Sequence, residues 1–497
     1  MSSATATRSR TSGKPVRWRR VGVIDVGSNS VRLVVYDVLG RAMQPRFNEK
    51  VLAALGKNLN DTGKLSKDGI EMTLSALSRF ASITRAQKVD TLFAFATAAV
   101  REASDGKEFV DKVKKETGIQ LRILSGTDEA RYAAQGVLVG SPGVDGVAGD
   151  LGGSSLELAR LANGKFEGGS TYPLGPLALD TGGSFNEDKI LARVKDTLSG
   201  SPELRKSGDV FFAVGGAWRA IGTLHMELTR APLHMLQNYE MDAGKLGGLL
   251  SELMGGKKHA DLLQEVARRR ASTIPYAAAV LKTVIDLGKF KTVMISSYGV
   301  REGIIFDSLD QAERLEDPLD AGLDALVADD QAAEFGRALA DWASETAPYT
   351  LQDRLSSAAC RLVDIGALLH PDHRADLAFD LVARAPLPGL SHKDRAALAL
   401  AVASRFKKGV KNEVSETLLD ADTAARARAL GSLMRLAADF SGRSAGLLKH
   451  AKLTCDGDTL ELRVVGPHRA LISESVERRL QQAADELGMD YALTTER

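Results

Sequence analysis

Asp25-Val-Gly-Ser-Asn-Ser-Val-Arg-Leu33 and Asp150-Leu-Gly-Gly-Ser-Ser-Leu-Glu-Leu158 repeat each other within one chain. Asp25 answers to Asp150, Gly27 to Gly152, Ser30 to Ser155 and Leu33 to Leu158, and the main change of charge sets Arg32 against Glu157. Glycines at 27, 152 and 153 let the backbone approach an anion and offer amide hydrogens to it. Ser28, Asn29, Ser30, Ser154 and Ser155 add short side-chain donors. Asp25 and Asp150, at strand ends, can hold a magnesium ion, without which a carboxylate beside phosphate is repulsive. One such loop is equally well explained as a tight inter-strand turn. A second copy in the same context points to phosphate gripped from two sides of one cleft.

Both copies sit in the same local grammar. Apolar runs at Val21–Ile24 and Val147–Leu151 lead into the loops, and Val31–Val38 and Leu156–Leu161 follow them as strands. Asn163-Gly164 signals a hairpin into Lys165–Gly169. Helical spacing over Lys67–Arg85, a strand at Asp90–Thr97, a helix over Ser104–Thr117 stopped by Gly118, and a strand at Ile119–Leu124 continue the first unit. Ser125–Asp128 fits a capping box opening a helix through Gly136. The second unit adds a strand at Val210–Val214, the Gly215-Gly216 turn, a helix from Ala217, a strand at Thr292–Ser296 and a helix opened by Ser297–Gly303. Alternation of this kind is α/β, and the duplicated start describes two ribonuclease-H-like (actin-like) lobes. Residues 320–450 are rich in Ala, Leu, Arg and Asp at helical spacing, and Leu453–Val465 and Ser473–Leu487 make a β–β–α end. The expected layout is a disordered basic tail over 1–20, lobes over 21–135 and 136–309, a helical domain over 310–450 and a small α+β piece over 451–497.

A net charge of +1 gives no overall basic field of the kind that nucleic acid attracts. Cys360 and Cys455 offer neither a disulfide framework nor zinc spacing. No apolar run approaches the ~18 residues of a membrane helix, and the first twenty residues lack the apolar core of a secretory signal. A cytoplasmic protein with no membrane or nucleic-acid partner is the expectation. Arg268-Arg269-Arg270 and the cluster Lys407, Lys408 and Lys411 read first as solvated faces, and as contacts to a long polyanion second.

Glu129 falls in the first turn of its helix, where the dipole favours any acid, so spacing alone gives it no role. Arg101 has the planar fork that clamps phosphate. With these positions the chain resembles the exopolyphosphatase / guanosine pentaphosphate phosphohydrolase family. The resemblance rests on Asp25–Ser30, Ala96-Thr-Ala-Ala-Val-Arg101, Ser125-Gly126 with Glu129-Ala-Arg131, Asp150–Glu157, Gly215-Gly216 and Ser297-Tyr-Gly-Val-Arg-Glu-Gly303, covering about residues 20–310. It implies that Glu129 is the base that activates water, that Asp150 and Glu157 bind Mg2+, and that Asp25, Ser28, Asn29, Ser30, Arg101, Gly152, Gly153, Ser154 and Ser155 line the phosphate site. It implies inorganic polyphosphate as substrate, with guanosine pentaphosphate as the alternative, and a homodimer. Ser154 stands where the family often has a third glycine. The helical region resembles an HD-like module at Leu362-Val-Asp-Ile-Gly366, but Val363 occupies the place of the HD histidine, so a second metal site is not expected. A phosphotransferase or a non-catalytic nucleotide switch on the same fold remain the competing classes.

Overall fold

The computed structural model describes residues 8–9, 15–16, 18–182, 184–205, 208–256, 258–327 and 329–496. They form two compact units, Met1–Pro318 and Leu319–Arg497.

In the first unit β1 (Arg19–Val26), β2 (Val31–Leu39) and β3 (Ala42–Val51) form an antiparallel meander. β4 (Thr91–Ala96) and β5 (Arg122–Ile123) extend it in parallel, in the order β3-β2-β1-β4-β5. The pattern then repeats. β6 (Gly146–Leu151), β7 (Leu156–Ala162) and β8 (Lys165–Tyr172) form the second meander, and β9 (Val210–Val214) lies parallel to β6. β10 (Tyr239–Asp242) and β11 (Thr292–Ile295) complete the order β8-β7-β6-β9-β11-β10. The duplication seen in the loops is therefore a duplication of sheet topology. The hairpin after β7 turns on Asn163 and Gly164, both left-handed at φ 53° and 65°, as a type I′ turn requires.

Helices α1 (Lys67–Ala86), α2 (Ala98–Glu102), α3 (Gly106–Thr117) and α4 (Gly126–Gly140) belong to the first half. α5 (Glu187–Leu198), α6 (Gly216–Thr229), α7 (Ile274–Gly288) and α8 (Val300–Asp307) belong to the second. Leu74, Leu77 and Phe80 of α1 pack on Ile24, Val26 and Leu33, one face of the first sheet. Tyr132 and Val139 of α4, with Ile304 and Ile305 of α8, cover the opposite face at Val21, Val23, Val34 and Tyr36. The other stripe of α4, Ala130, Ala134 and Val137, packs on Ala148, Ala159 and Leu161 of the second sheet. α4 is thus buried between the two sheets. Its small residues allow the close approach, and its N-terminus is fixed by the capping box of Ser125 and Asp128.

Several expectations are adjusted. A lobe boundary at 135/136 falls inside α4, which runs on to Gly140. Gly136 lies inside the helix, where its missing side chain makes room for the Gly299 carbonyl. The helical part separates at Pro318/Leu319 rather than 309/310, since residues 310–318 stay with the first unit. Glu313 pairs with Arg19 at 2.9 Å, and the Glu316 carbonyl accepts from Arg41 at 2.9 Å. The strand expected over Ile119–Leu124 shrinks to Arg122–Ile123, an edge paired on one side. β3 and β10 carried no strand signal, being a polar outer strand and a four-residue edge. Much of the expected tail over 1–20 lies outside the described residues. Arg8–Ser9 pairs with Pro15–Val16, and Arg19 and Arg20 already belong to β1, where Arg20 is anchored by Asp37 at 2.9 Å.

The second unit is helical through α9 (Asp330–Trp342), α10 (Asp353–Arg361), α11 (Arg374–Ala383), α12 (His392–Ser404) and α13 (Ala421–Ser441). It ends in β12 (Ala451–Asp456), β13 (Thr459–Val465), α14 (Glu474–Leu487) and β14 (Asp490–Glu496). β14 pairs in parallel with β13, so the end piece is β–β–α–β, one strand more than expected. Among the described residues no helix is long and apolar enough to cross a membrane.

Candidate active site

Strand alternation decides which side chains reach the cleft. Val21 and Val23 face α4, so Asp25, two residues on, keeps that side. By the same count Arg32 follows Val34 and Tyr36, Asp150 follows Ala148, and Glu157 follows Ala159. All four line one cleft with Glu129, Ser28, Asn29, Ser30, Gly152, Gly153, Ser154 and Ser155, around a cavity of about 260 Å³.

Register pairs these residues across each sheet. In the first lobe Asp25 lies opposite Arg32, and Arg32 opposite Lys50, giving a row of Asp, Arg and Lys over β1, β2 and β3. In the second lobe Asp150 lies opposite Glu157, and Glu157 opposite Thr171, giving Asp, Glu and Thr over β6, β7 and β8. At the middle place of one duplicated framework the charge is opposite, Arg32 against Glu157.

The two loops are built alike. The Gly27 amide donates to the Ser30 carbonyl at 3.0 Å, and the Gly152 amide to the Ser155 carbonyl at 2.9 Å. The central carbonyls are taken from behind. Ser28 and Asn29 accept from the amides of Gly56 (2.8 Å) and Ala54 (3.0 Å), and Gly153 and Ser154 accept from Leu177 (2.8 Å) and Gly175 (3.0 Å). Among the described residues, the amides of Ser28, Asn29, Gly153 and Ser154 donate to no acceptor of the protein. Two small amide nests therefore line the same cleft, and such nests bind anions. The loops touch, since the Ser154 hydroxyl donates to that of Ser28 at 2.9 Å. The serine in place of the third glycine is thus a cross-lobe contact.

Glu129 is buried at the start of α4 and accepts from Arg101, which also donates to the Leu124 carbonyl at 2.9 Å. Arg101 was expected to clamp phosphate. It is absent from the cleft lining and engages Glu129 instead. Burial, then the neighbouring Glu157 charge, pushes the Glu129 carboxyl well above the usual carboxylate range against the pull of Arg101. Glu157, accepting from Thr171 at 2.8 Å, is raised by burial and Asp150. Burial pushes Asp150 up to about 6 despite Arg219, and raises Asp25 despite Arg301 and Arg32.

Four cationic residues not foreseen as site residues enter the cleft: Lys50, Arg219, Arg270 and Arg301. Burial and the charges of Arg270 and Arg32 lower Lys50 to about 8. Arg219, on α6, is held by the Ser297 carbonyl at 3.1 Å. Gly215, with φ 105°, turns the chain from β9 into α6, and at Gly216 a side chain would fall on the Arg270 guanidinium. The pair of glycines leaves room for that arginine. Arg301 is half-buried, and one guanidinium nitrogen, Nη1, is buried without a hydrogen-bond partner. Its neighbour Glu302 accepts from Tyr36 at 2.5 Å and from the Gly299 amide at 2.9 Å, tying α8 to the first sheet. In the basic triplet, Arg270 reaches the cleft while Arg268 is exposed, and Lys407, Lys408 and Lys411 are exposed.

Among the described residues no three metal-ligating side chains converge. Magnesium is commonly held by one or two carboxylates plus substrate phosphates rather than by an all-protein cage. Asp150 and Glu157, adjacent in register and with Asp150 raising the Glu157 carboxyl, fit that mode. In the HD-like segment, Val363 is fully buried and Asp364 pairs with Arg405 at 3.1 Å.

Two facing anion nests, a carboxylate pair and a buried acid on a helix between two actin-like lobes define a phosphoryl-handling protein of the α/β class. The sequence matches the Ppx/GppA phosphatase family over residues 34–312, and the chain belongs to it. Residues 327–494 match the family "Exopolyphosphatase, C-terminal". The chain is 30% identical over 308 residues to exopolyphosphatase 1 of Mycobacterium tuberculosis, covering 59% of this chain and 88% of that protein. It is 26% identical over 450 residues to retrograde regulation protein 2 of Saccharomyces cerevisiae, covering 81% and 75% respectively. A Ppx/GppA family member from Aquifex aeolicus superposes with a TM-score of 0.53 at 22% identity, over 60% of this chain and all of that one. That likeness speaks for the fold.

Proposed function

We propose that the cleft hydrolyses the terminal phosphoanhydride of inorganic polyphosphate. The observation that carries this is the pair of loops leaving the amides of Ser28, Asn29, Gly153 and Ser154 unpaired beside Glu129. The name of the mycobacterial relative supports the substrate. The terminal phosphoryl group sits between the loops, with its oxygens on the amides. Water adds to phosphorus in line with the bridging oxygen, its proton passes to the Glu129 carboxylate, and the bond to the next phosphate breaks, releasing orthophosphate and a chain shorter by one unit. A raised carboxyl suits this work, because a base whose pKa nears the working pH takes a proton most effectively. Arg101 orients Glu129. Lys50, Arg219 and Arg270 meet the remaining chain. A magnesium ion on Asp150 and Glu157 would supply charge neutralisation for phosphate oxygens.

Guanosine pentaphosphate presents a similar terminal anhydride, but it and the adenosine of a kinase need a surface for a base. Among the described residues, the one aromatic ring lining the cleft, Phe95, is buried in the core. That supports a chain of phosphates over a nucleotide. A homodimer in the cytoplasm completes this reading, and light scattering on the purified protein tests the dimer. Phosphate release from polyphosphate, guanosine pentaphosphate and ATP plus sugars, each with magnesium, tests the activity. Release from polyphosphate is expected to lead, and none from it would overturn the proposal.

A further inference from the structure

Arg301, in the first turn of α8, lines the cleft. Among the described residues its buried Nη1 has no hydrogen-bond partner. The acid next to it, Glu302, is already taken by the Tyr36 hydroxyl at 2.5 Å and the Gly299 amide at 2.9 Å. Burial works against the Arg301 charge, and its neighbours outweigh that and hold it cationic, Glu302 first and the strand-end Asp25 and Asp150 among them. Burial, then the charge of Arg301, lowers Arg32 to about 10. A cation crowded by another and left with an orphaned N–H is what a substrate anion relieves.

The sheets place this arginine on the far side of the aspartates from Glu129. In the second lobe Thr171, Glu157, Asp150 and Val214 form one row over β8, β7, β6 and β9. α4, which carries Glu129, starts against Thr171 at one end, where a side chain at Gly126 would fall on that threonine. Arg301 comes in at the other end, where a side chain at Gly299 would meet Val214 at 2.9 Å and the Asp150 carboxyl at 3.9 Å. The first lobe repeats the arrangement. Arg101, which holds Glu129, is fixed by the Leu124 carbonyl just past β5, whereas Glu302 is fixed by Tyr36 of β2, across β1 and β4 from β5.

An in-line displacement needs this opposition, because water arrives on one side of phosphorus and the bridging oxygen departs on the other. We propose that Arg301 is a catalytic residue that stabilises the leaving phosphate. This rests on the hydrolytic reading of the cleft. As the bond from phosphorus to the bridging oxygen breaks, that oxygen keeps the electron pair and becomes a terminal oxygen of the shortened chain. The Arg301 guanidinium donates a hydrogen bond to it and keeps its own proton. Its charge therefore acts mainly in the transition state, when the leaving oxygen gains negative charge.

Orthophosphate release from polyphosphate at saturating magnesium tests this in the full chain. Arg301→Ala should lower kcat by about 10²–10³ with little change in KM. Added guanidinium should restore part of the lost kcat, which a merely structural role would not allow. Arg301→Lys, with the charge but not the fork, should fall between the wild type and Arg301→Ala. Arg301→Gln, neutral and of similar length, should behave as Arg301→Ala does and guards against a variant that fails to fold. The magnesium needed for half-maximal rate should not rise, since removing a cation beside Asp150 does not weaken the hold on another. A wild-type kcat in Arg301→Ala or Arg301→Gln, a loss carried by KM alone, or a folded Arg301→Ala that guanidinium does not restore would overturn the proposal. No release by the wild type would overturn the hydrolytic reading and this assignment with it, whereas wild-type release with an indifferent Arg301 overturns the assignment alone.

Discussion

Asp150 stands directly opposite Glu157 across an antiparallel strand pair, at the register where the other lobe sets Asp25 opposite Arg32. One duplicated framework thus has a side suited to a cation and a side suited to an anion. Phosphate chemistry needs both, because the substrate's charge must be matched and its oxygens polarised.

Magnesium should therefore stabilise the protein in a pH-dependent way. Burial lifts Asp150 from its ordinary 3.8 to about 6. Between those values the folded state holds a proton that the unfolded chain has lost, so metal-free stability falls as pH rises through that window. Magnesium competes with the proton, so its stabilising effect appears as pH passes 6 and fades below it. Melting curves with and without magnesium at pH 5 and pH 8 should show a rise in Tm at pH 8 alone. The rise should be lost in Glu157→Gln.

The cross-lobe bond from Ser154 to Ser28 couples the two nests. Losing a neutral hydrogen bond costs about 0.5–1.5 kcal/mol. Ser154→Ala should raise KM severalfold with a smaller change in kcat. An unchanged KM would mean that the loops are held by their backs alone.

Lys50 extends the basic row beyond Arg32. It sits at about 8 because it is buried near Arg270 and Arg32. A lysine loses its charge as pH rises through its pKa, so KM for polyphosphate should climb above pH 8. In Lys50→Gln, KM should be high throughout, with a weaker dependence on salt. Steady-state kinetics at several pH values separates the two profiles.

Gly303 in α8 packs directly on the Tyr132 backbone of α4, where a methyl group has no room. Gly303→Ala should cost about 1–3 kcal/mol of stability by overpacking. Because α4 carries Glu129, kcat should fall in the folded fraction as well. Denaturant unfolding beside an activity assay measures both effects.

The loops were legible in sequence because Asp25, Gly27 and Ser30, and their counterparts, are neighbours along the chain. The capping box of Ser125 and Asp128 was legible for the same reason. Lys50 and Arg219 were not, since each reaches the cleft from a different element and neither sits in a phosphate-binding pattern, while Arg270 and Arg301 stood in stretches singled out without a place in the cleft. Lys50 becomes readable only once β3 is placed beside β2 in register. Arg101 had the right chemistry for a clamp, yet its closest carboxylate is Glu129, a pairing set by how α2 and α4 pack. The N-terminal dipole explained an acid at position 129 without any role. Only burial between two sheets distinguishes it.

Glu129 is the point on which the account turns, and kcat for phosphate release from polyphosphate, wild type against Glu129→Gln, tests it most directly. The amide keeps the shape and the Arg101 contact but cannot accept a proton from water. The account predicts a fall in kcat of about 10²–10⁴, with polyphosphate binding retained and, in the wild type, activity rising with pH above the ordinary carboxylate range. A Glu129→Gln enzyme that releases orthophosphate at the wild-type rate would contradict it.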